Sequence, residues 1–263
     1  MNPKINKIDR WFPQQLSDFA GNDRLHRLIR SIEASETLNT NLFITGEVGT
    51  AKSEAARFLL RVLLCERIDR VSFKPCMACA NCPRIDLREG NAQLFQIHKK
   101  GRSGGVISFQ TLIFDCANIS FDEIAERVRD SESITSELII VLDEVQNLSR
   151  TRIENRLLVT MDQVRARWIA VTSSPSDLSR AFIRRFRTKL TMQAPSTEET
   201  IQFLSNRITE FGLKLEDDGL LGEVAVKCNN SINTALSFFV EVAQLHDGTV
   251  SQQAISEFDF DSL

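Results

Sequence analysis

The sequence lacks any apolar run long enough to cross a bilayer. Its longest purely aliphatic run spans only Leu138 to Leu142, whereas a membrane-spanning helix needs roughly 20 apolar residues. The first residues, Met1 to Lys7, contain no apolar signal region either. We therefore expect a cytoplasmic protein without membrane contact, whose cysteines are reduced.

A large net charge is also absent. The 32 Lys and Arg residues nearly balance the 35 Asp and Glu residues, for a net charge of −3. Overall charge therefore indicates neither a nucleic acid nor a membrane as partner, and any such surface must be local. Glycine and proline are sparse, at 11 and 6 of 263 residues, while 42% of residues are apolar. These values exclude collagen-like and disordered chains and leave one large or two modest globular domains.

The apolar pattern divides the chain into two parts. Up to about residue 192, short aliphatic runs alternate with segments of helical period, which is typical of parallel strands connected by helices. From about Thr197 the strand-like runs stop, and Ser196 with Glu199 forms a capping box ahead of helical patterns. The sequence predicts an α/β domain at residues 1–193 and a small α-helical domain at residues 194–263.

A phosphate-binding loop is predicted between the apolar strand Leu42 to Thr45 and an apolar helix that runs to Leu64. The backbone N–H groups of such a loop face phosphate oxygens, Lys52 adds a positive charge, and the Ser53 hydroxyl can hold Mg²⁺. Ala51 stands where the motif asks for glycine. The loop and the start of its helix comprise Gly46, Glu47, Val48, Gly49, Thr50, Ala51, Lys52 and Ser53.

Two carboxylates follow the buried-strand pattern of residues 138–142, namely Asp143 and Glu144. In phosphoryl transfer the first acid holds Mg²⁺ through water, and the second orients and deprotonates the attacking water. An alternative is that both residues only begin a loop or cap a helix near Asn147. Together with Lys52, the pair favours nucleotide hydrolysis with Glu144 as the catalytic base.

A cysteine cluster has the spacing of a metal site. Cys76, Cys79 and Cys82 are separated by two residues each, and Cys65 precedes them by ten intervening residues. In a reduced compartment this spacing predicts a tetrahedral Zn²⁺ site in a module at about residues 65–90. The spacing alone leaves Cys116 and His98 open as alternatives to Cys65. Nothing in it supplies an open coordination position, so the predicted role is structural.

With these motifs the chain resembles AAA+ ATPases, and among them the DNA polymerase clamp-loader subunits, over about residues 8–245. The resemblance implies a parallel five-stranded sheet with an inserted zinc module, followed by a helical lid, and it implies ATP as the nucleotide. It makes Cys65 the fourth zinc ligand, because bacterial tau/gamma and delta-prime subunits carry a cysteine at this helix end. The loop form with Ala51 is similar to that of the MoxR branch. Walker A would comprise Gly46, Gly49, Lys52 and Ser53, and Walker B would comprise Asp143 and Glu144.

The resemblance also assigns residues outside these two motifs. It implies that the adenine lies near Phe12, Pro13 and Gly21. It places Ser173, or Thr172, at sensor 1 near the γ-phosphate. It makes Arg185 the arginine donated to a neighbouring subunit's nucleotide, with Arg180 and Arg184 as substitutes. Where the family carries a sensor 2 arginine, this sequence has Asn233.

Residues 93–110 are expected to form an inserted β-hairpin with a basic, glycine-rich tip at residues 98–104. The tip either contacts a phosphate backbone or only faces solvent. Two segments compete for the second strand of the sheet, residues 93–97 and residues 111–115. We favour residues 111–115, because residues 113–118 resemble the family strand that precedes the next helix.

The resemblance implies ATP-dependent assembly or remodelling on DNA by a homo- or hetero-oligomer that forms through AAA+ and lid surfaces. DNA contact would be direct or through a partner protein. The sequence ends before the helical collar that clamp loaders carry, so we expect assembly without it. One alternative is an ATP-binding regulatory subunit with weak hydrolysis in a mobile-element or anti-phage complex, which Ala51 and Asn233 favour. Another is a non-enzymatic assembly module that binds a partner through the zinc cluster and the hairpin.

Overall fold

A six-stranded sheet forms the centre of the computed structural model, which describes residues 4–5, 8, 11–85, 95–131, 137–149 and 151–260. Its spatial order is β2-β3-β4-β5-β1-β6. Five of these strands pair in parallel, as predicted, and β2 pairs antiparallel with β3 at the edge. The strands are β1 (Leu42–Thr45), β2 (Phe95–Lys100), β3 (Val106–Asp115), β4 (Glu137–Asp143), β5 (Ala166–Thr172) and β6 (Thr188–Thr191).

Helices cover both faces of this sheet. Along β4, Ile139 and Val141 belong to one apolar core and Leu138, Ile140 and Leu142 to the other, because successive side chains of a strand point to opposite faces. A strand buried on both faces reads as a continuous apolar run, which is how β4 is visible in the sequence. The helices of this part are α1 (Asp23–Ser35), α2 (Lys52–Leu64), α3 (Phe121–Ser131), α4 (Thr151–Gln163) and α5 (Arg180–Ile183).

The part of the chain after residue 196 is mainly helical and has its own apolar core. The Glu199 N–H donates to Ser196 Oγ at 3.2 Å and the Ser196 N–H donates to Glu199 Oε2 at 2.8 Å, which confirms the capping box. The helices are α6 (Thr197–Phe211), α7 (Leu220–Lys227), α8 (Ile232–Leu245) and α9 (Gln252–Glu257). This core also includes Ile8 and Trp11 from the start of the chain, and the domain division at residues 193 and 194 stays a prediction.

Strands do not stop completely after Thr197, contrary to the expectation. Two short strands, β7 (Lys214–Leu215) and β8 (Thr249–Val250), pair in parallel beside these helices. Two-residue strands are too short to give an alternating sequence pattern. Among the described residues, no helix has the length and apolar character to cross a membrane.

The predicted hairpin is continuous with the central sheet. Its strands are β2 and the first half of β3, and β3 then runs on to Asp115 as a single strand. The choice of residues 111–115 for the second strand of the sheet is confirmed, as the latter half of β3. The expected hairpin residues 93 and 94 and the zinc-module residues 86–90 lie outside the described part of the chain.

The basic tip of the hairpin is held by acidic residues of α1 and its end. The Arg102 guanidinium pairs with Glu33, and the Arg102 N–H donates to Glu36 Oε2 at 2.7 Å. Lys99 is buried, with Nζ 3.7 Å from Glu36 Oε1. Arg70, from the segment between Cys65 and Cys76, also reaches Glu33, at 3.3 Å. Two of the three cations expected at the tip are therefore already paired within the chain, which weakens the expectation of a phosphate contact there.

Candidate functional site

The loop between β1 and α2 depends on glycine at two positions. Gly46 has φ +154°, and a Cβ there would lie 2.6 Å from the Met192 carbonyl oxygen. Gly49 has φ +84°, and its Cβ would lie 2.9 Å from Ser231 Oγ. Ser231 caps the N-terminus of α8, where its Oγ accepts from the Thr234 N–H. The loop and the start of α8 are therefore in close approach.

The backbone conformation of Ala51 explains why the motif has glycine at this position. It has φ 58° and ψ 33°, the left-handed region, directly before α2. Glycine adopts this conformation freely, whereas an L side chain in it costs about 1–2 kcal/mol. Ala51 therefore holds a backbone conformation that suits glycine, at some cost in stability.

Lys52 lies at the base of the loop, where phosphate oxygens would bind. Its side chain is buried, and Nζ donates to the Glu47 carbonyl oxygen at 2.6 Å. Burial lowers the pKa of Lys52, while the charges of Glu144 and Asp143 oppose that shift. The acceptor of this hydrogen bond, the Glu47 carbonyl oxygen, is neutral. An anionic ligand such as a phosphate would therefore complement the charge of the buried Lys52 ammonium group.

The other side of the site is the carboxyl end of β4. The Ser53 hydroxyl donates to Asp143 Oδ1 at 2.7 Å, and Arg57 Nη2 lies 3.5 Å from Asp143 Oδ2. Burial raises the pKa of Asp143, while the Ser53 hydrogen bond and the Arg57 charge act against this rise. A hydroxyl and a carboxylate in contact are oxygen ligands that suit Mg²⁺.

Arg57 was missed by the sequence analysis. It lies four residues after Ser53 on α2, and residues at this spacing share one helix face. Its guanidinium also pairs with Glu54 at 2.7 Å. That spacing could have indicated a second cation, besides Lys52, near Ser53 and Asp143.

Gln146 was missed as well, and it connects three of the predicted or alternative site residues. Its Nε2 donates to Glu144 Oε2 and, at 3.2 Å, to Ser173 Oγ. Its Oε1 accepts from Thr172 Oγ1 at 2.6 Å. Glu144 and both sensor 1 candidates therefore share one amide group.

Several of these residues, among them Lys52, Ser53 and Glu144, line one cavity of about 410 Å³. This volume lies within the range of about 300–1,000 Å³ that is usual for ligand pockets. The start of α8, which closely approaches the loop, also lines the cavity and places Asn233 on its wall, where the resemblance puts sensor 2. The lining residues include Trp11, Pro13, Val48, Gly49, Ala51, Lys52, Ser53, Arg57, Glu144, Ser173 and Asn233. A neighbouring cavity is lined by Gly46, Glu47 and Thr50 of the loop.

The three residues expected near the base are not brought together. Pro13 lines the cavity, whereas Phe12 and Gly21 are not among its described lining residues. The Phe12 ring lies against the Arg61 guanidinium, with 4.3 Å to the ring centroid. A Cβ on Gly21 would be 3.0 Å from Glu199 Oε2, at the start of α6. Trp11 takes the cavity position expected for its neighbour Phe12.

Arg185 does not line the cavity of its own chain. It lies on the surface, 44% exposed, with Nη2 2.6 Å from Asp162 Oδ2. Arg180 and Arg184 are exposed too. An exposed position away from the chain's own site is what donation to a neighbouring subunit requires.

The four predicted metal ligands are brought together. The sulfurs of Cys65, Cys76, Cys79 and Cys82 all lie within 4.8 Å of one another. Tetrahedral zinc with bonds of about 2.3 Å places its sulfurs about 3.8 Å apart, so the cluster fits the ion. The hydrogen bond from the Cys82 thiol, helped by the Cys76 N–H, lowers the pKa of Cys65 to about 5. The thiolate form is thus favoured at Cys65, whereas the neighbouring cysteines and burial raise the pKa of Cys82.

The two alternative ligands lie elsewhere. Cys116 is buried in the core on one face of the sheet. His98 is on the hairpin, where Nδ1 lies 2.8 Å from Ser108 Oγ. Cys65 is therefore the fourth member of the cluster, and Asn81 attaches the module to α2 by donating to the Leu64 carbonyl oxygen at 3.0 Å.

The fold and the site define a AAA+ protein of the clamp-loader type. The chain belongs to the family described as DNA polymerase III, delta subunit, whose model matches residues 21–189.

Curated relatives agree with this membership. The chain is 24% identical to DNA polymerase III subunit tau of Bacillus subtilis (strain 168), over 93% of this chain and 43% of that protein. It is 25% identical to subunit tau of Escherichia coli (strain K12), over 94% and 36% respectively. The chain therefore spans less than half the length of these two relatives.

The solved structures support the fold. The Thermotoga maritima RuvB Holliday junction branch migration motor superposes with a TM-score of 0.60 at 10% identity. The match covers 95% of this chain and 74% of that one.

Proposed function

We propose that this chain binds ATP with Mg²⁺ and hydrolyses it, and that it couples this cycle to assembly or remodelling on DNA. The observation that carries the proposal is the convergence of Lys52, Ser53, Glu144 and Ser173 on one cavity, with Asp143 bonded to Ser53. These residues come from three separate segments of the chain, at the start of α2, the end of β4 and the end of β5. A plain surface turn would not require that arrangement.

Each group has a defined task in this reaction. Lys52 and the loop N–H groups bind the β- and γ-phosphates, and Ser53 with Asp143 would hold Mg²⁺. The ion would neutralise charge on the phosphate oxygens. Glu144 accepts a proton from the water that attacks the γ-phosphorus, and ADP departs as the P–O bond breaks. Arg185 would stabilise the transition-state charge in the site of a neighbouring subunit.

The assembly is a homo- or hetero-oligomer whose contacts involve the AAA+ and lid surfaces. The relatives are named as subunits of a DNA polymerase, and these names support a role beside a DNA polymerase. The cysteine cluster would hold Zn²⁺ in a structural role, because four thiolates leave no coordination position for substrate.

A second candidate function is a nucleotide-binding subunit with weak hydrolysis. Asn233 favours it, because this residue faces the cavity where a cation would otherwise contact the γ-phosphate. Such a protein would switch conformation on binding ATP without rapid turnover.

The test compares wild type with Glu144→Gln, with and without DNA. We expect measurable hydrolysis by wild type, stimulation by DNA, and loss of turnover with retained ATP binding in the variant. Lys52→Ala is the second control, and it should lose binding as well. Negligible turnover by wild type in every partner context would contradict the enzyme proposal and favour the second candidate.

A further inference from the structure

The side-chain amide of Gln146 makes three hydrogen bonds. One amide N–H points to Glu144 and the other to Ser173, while the carbonyl oxygen accepts from Thr172. A flipped amide would put its oxygen against the Glu144 carboxylate and its N–H group against the Thr172 hydroxyl hydrogen. The arrangement therefore fixes the orientation of the amide.

The far end of this chain of hydrogen bonds is anchored in the backbone. Thr172 is completely buried at the end of β5, and its Oγ1 also accepts from the Ser174 N–H at 3.0 Å. Because that hydroxyl accepts from Ser174, its single hydrogen is directed to Gln146. The amide is thus held by a rigid strand end on one side and holds the carboxylate of Glu144 on the other.

Glu144 needs such support because its own backbone position is unusual. It has φ 52° and ψ 46°, the left-handed region, directly after β4. Its side chain leaves the strand end in a direction set by this turn, and Gln146 sits two residues further in the same short helical segment, Val145–Leu148. A catalytic base acts only when its oxygen is within reach of the attacking water.

We propose that Gln146 is a positioning residue for ATP hydrolysis, which holds Glu144 and the sensor 1 segment in one fixed arrangement through its amide. This inference rests on the proposed function, since it concerns the same site. It predicts that Glu144 and the sensor 1 residue Ser173, which would lie near the γ-phosphate, move together. It also assigns Thr172 an indirect role, as the anchor of Gln146, and leaves Ser173 as the sensor that faces the cavity.

The first experiment replaces Gln146 with methionine, which keeps the length of the side chain and removes its hydrogen bonds. We expect kcat to fall about 10- to 100-fold, the usual effect of a misplaced catalytic group, with KM for ATP unchanged within about twofold. Thr172→Val should lower kcat similarly, and the double variant should be no worse than Gln146→Met alone, because both act through one connection. Gln244→Met, which makes the same change at an exposed position of α8 outside the cavity lining, is the matched control and should behave as wild type.

A second measurement does not depend on turnover. In protein labelled with ¹⁵N-glutamine, the side-chain amide signals of Gln146 should shift in Thr172→Val and in Glu144→Gln, and they should be absent from Gln146→Met. If wild type hydrolyses ATP but Gln146→Met keeps its kcat within about twofold, the proposal is overturned and the proposed function stands. If wild type hydrolyses no ATP, the proposed function fails. If the amide signals of Gln146 shift in neither Thr172→Val nor Glu144→Gln, the proposed hydrogen-bonded connection through Gln146 is overturned.

Discussion

The Ser53 hydroxyl lies 2.7 Å from Asp143 Oδ1 and donates a hydrogen bond to it. This contact joins the first turn of α2 to the end of β4, 90 residues further along the chain. Without nucleotide, the hydroxyl and the Arg57 guanidinium are the groups that stabilise the Asp143 carboxylate. Because those two groups do not fully offset the effect of burial, the pKa of Asp143 stays above its usual value.

Asp143→Asn should therefore stabilise the protein when nucleotide and metal are absent. Burial raises the pKa of Asp143 above its value in the unfolded chain, so the native state binds this proton more tightly and stability falls as pH rises. Asparagine removes the charge and still accepts from Ser53. We expect a higher Tm than wild type at about pH 8, in EDTA, and a difference that shrinks toward the unfolded-state pKa of about 4.

Asp177→Asn makes the same change of charge at an exposed position, and its Tm should match wild type throughout. A lower Tm for Asp143→Asn at about pH 8 would show that the contacts with Ser53 and Arg57 outweigh the burial.

Ala51→Gly should also stabilise the chain. The substitution relieves the left-handed strain at φ 58°, although glycine gains freedom in the unfolded state. The net increase in the free energy of unfolding should be about 0.5–1 kcal/mol, measured by urea denaturation. Ala55→Gly, inside α2, is the control, and it should lower stability by about 1 kcal/mol or more. Equal losses in both variants would mean that the Ala51 methyl group contributes packing that exceeds its strain.

Cys79→Ser should release the bound metal and lower the free energy of unfolding without touching the nucleotide cavity. Wild type, purified without chelator, should contain about one zinc per chain, and the variant almost none, because metal binding contributes directly to folding. Cys228→Ser replaces another buried cysteine, in the core of the helical region. It should reduce stability but keep the metal. Wild-type protein with no metal would contradict the assignment of the cluster.

The sequence predicted those parts of the site that lie close together along the chain. The glycine-rich loop has its signature within eight residues, and β4 with its two acids forms a continuous apolar run because both faces are buried. For the same reason the spacing was sufficient for three of the four cysteines of the cluster, Cys76, Cys79 and Cys82. The resemblance added Cys65 as the fourth ligand and the cavity position of Asn233.

The contacts that the sequence did not reveal join residues far apart in number. Arg102 pairs with Glu33 across 69 residues, and Gln146 reaches Thr172 across 26. No local period marks such a pair, and in the sequence Glu33, Arg102 and Gln146 have the pattern of ordinary polar surface positions. The contact of Phe12 was not visible in the sequence for a related reason, because its ring packs against the buried Arg61 guanidinium, 49 positions further along the chain. Its place near the adenine stays a prediction. Trp11, one residue earlier, turns to the cavity instead.

The most direct test of the central claim is ATP hydrolysis per subunit at several protein concentrations, for wild type and Arg185→Ala, with and without DNA. An arginine that acts in a neighbour's site requires assembly, so wild-type activity per subunit should rise with concentration and with DNA. Arg185→Ala should lose about 10³-fold or more of that activity, while Arg187→Ala, another exposed arginine nearby, should retain it. Activity that is independent of concentration, and equal in wild type and Arg185→Ala, would contradict an ATPase that assembles through this arginine.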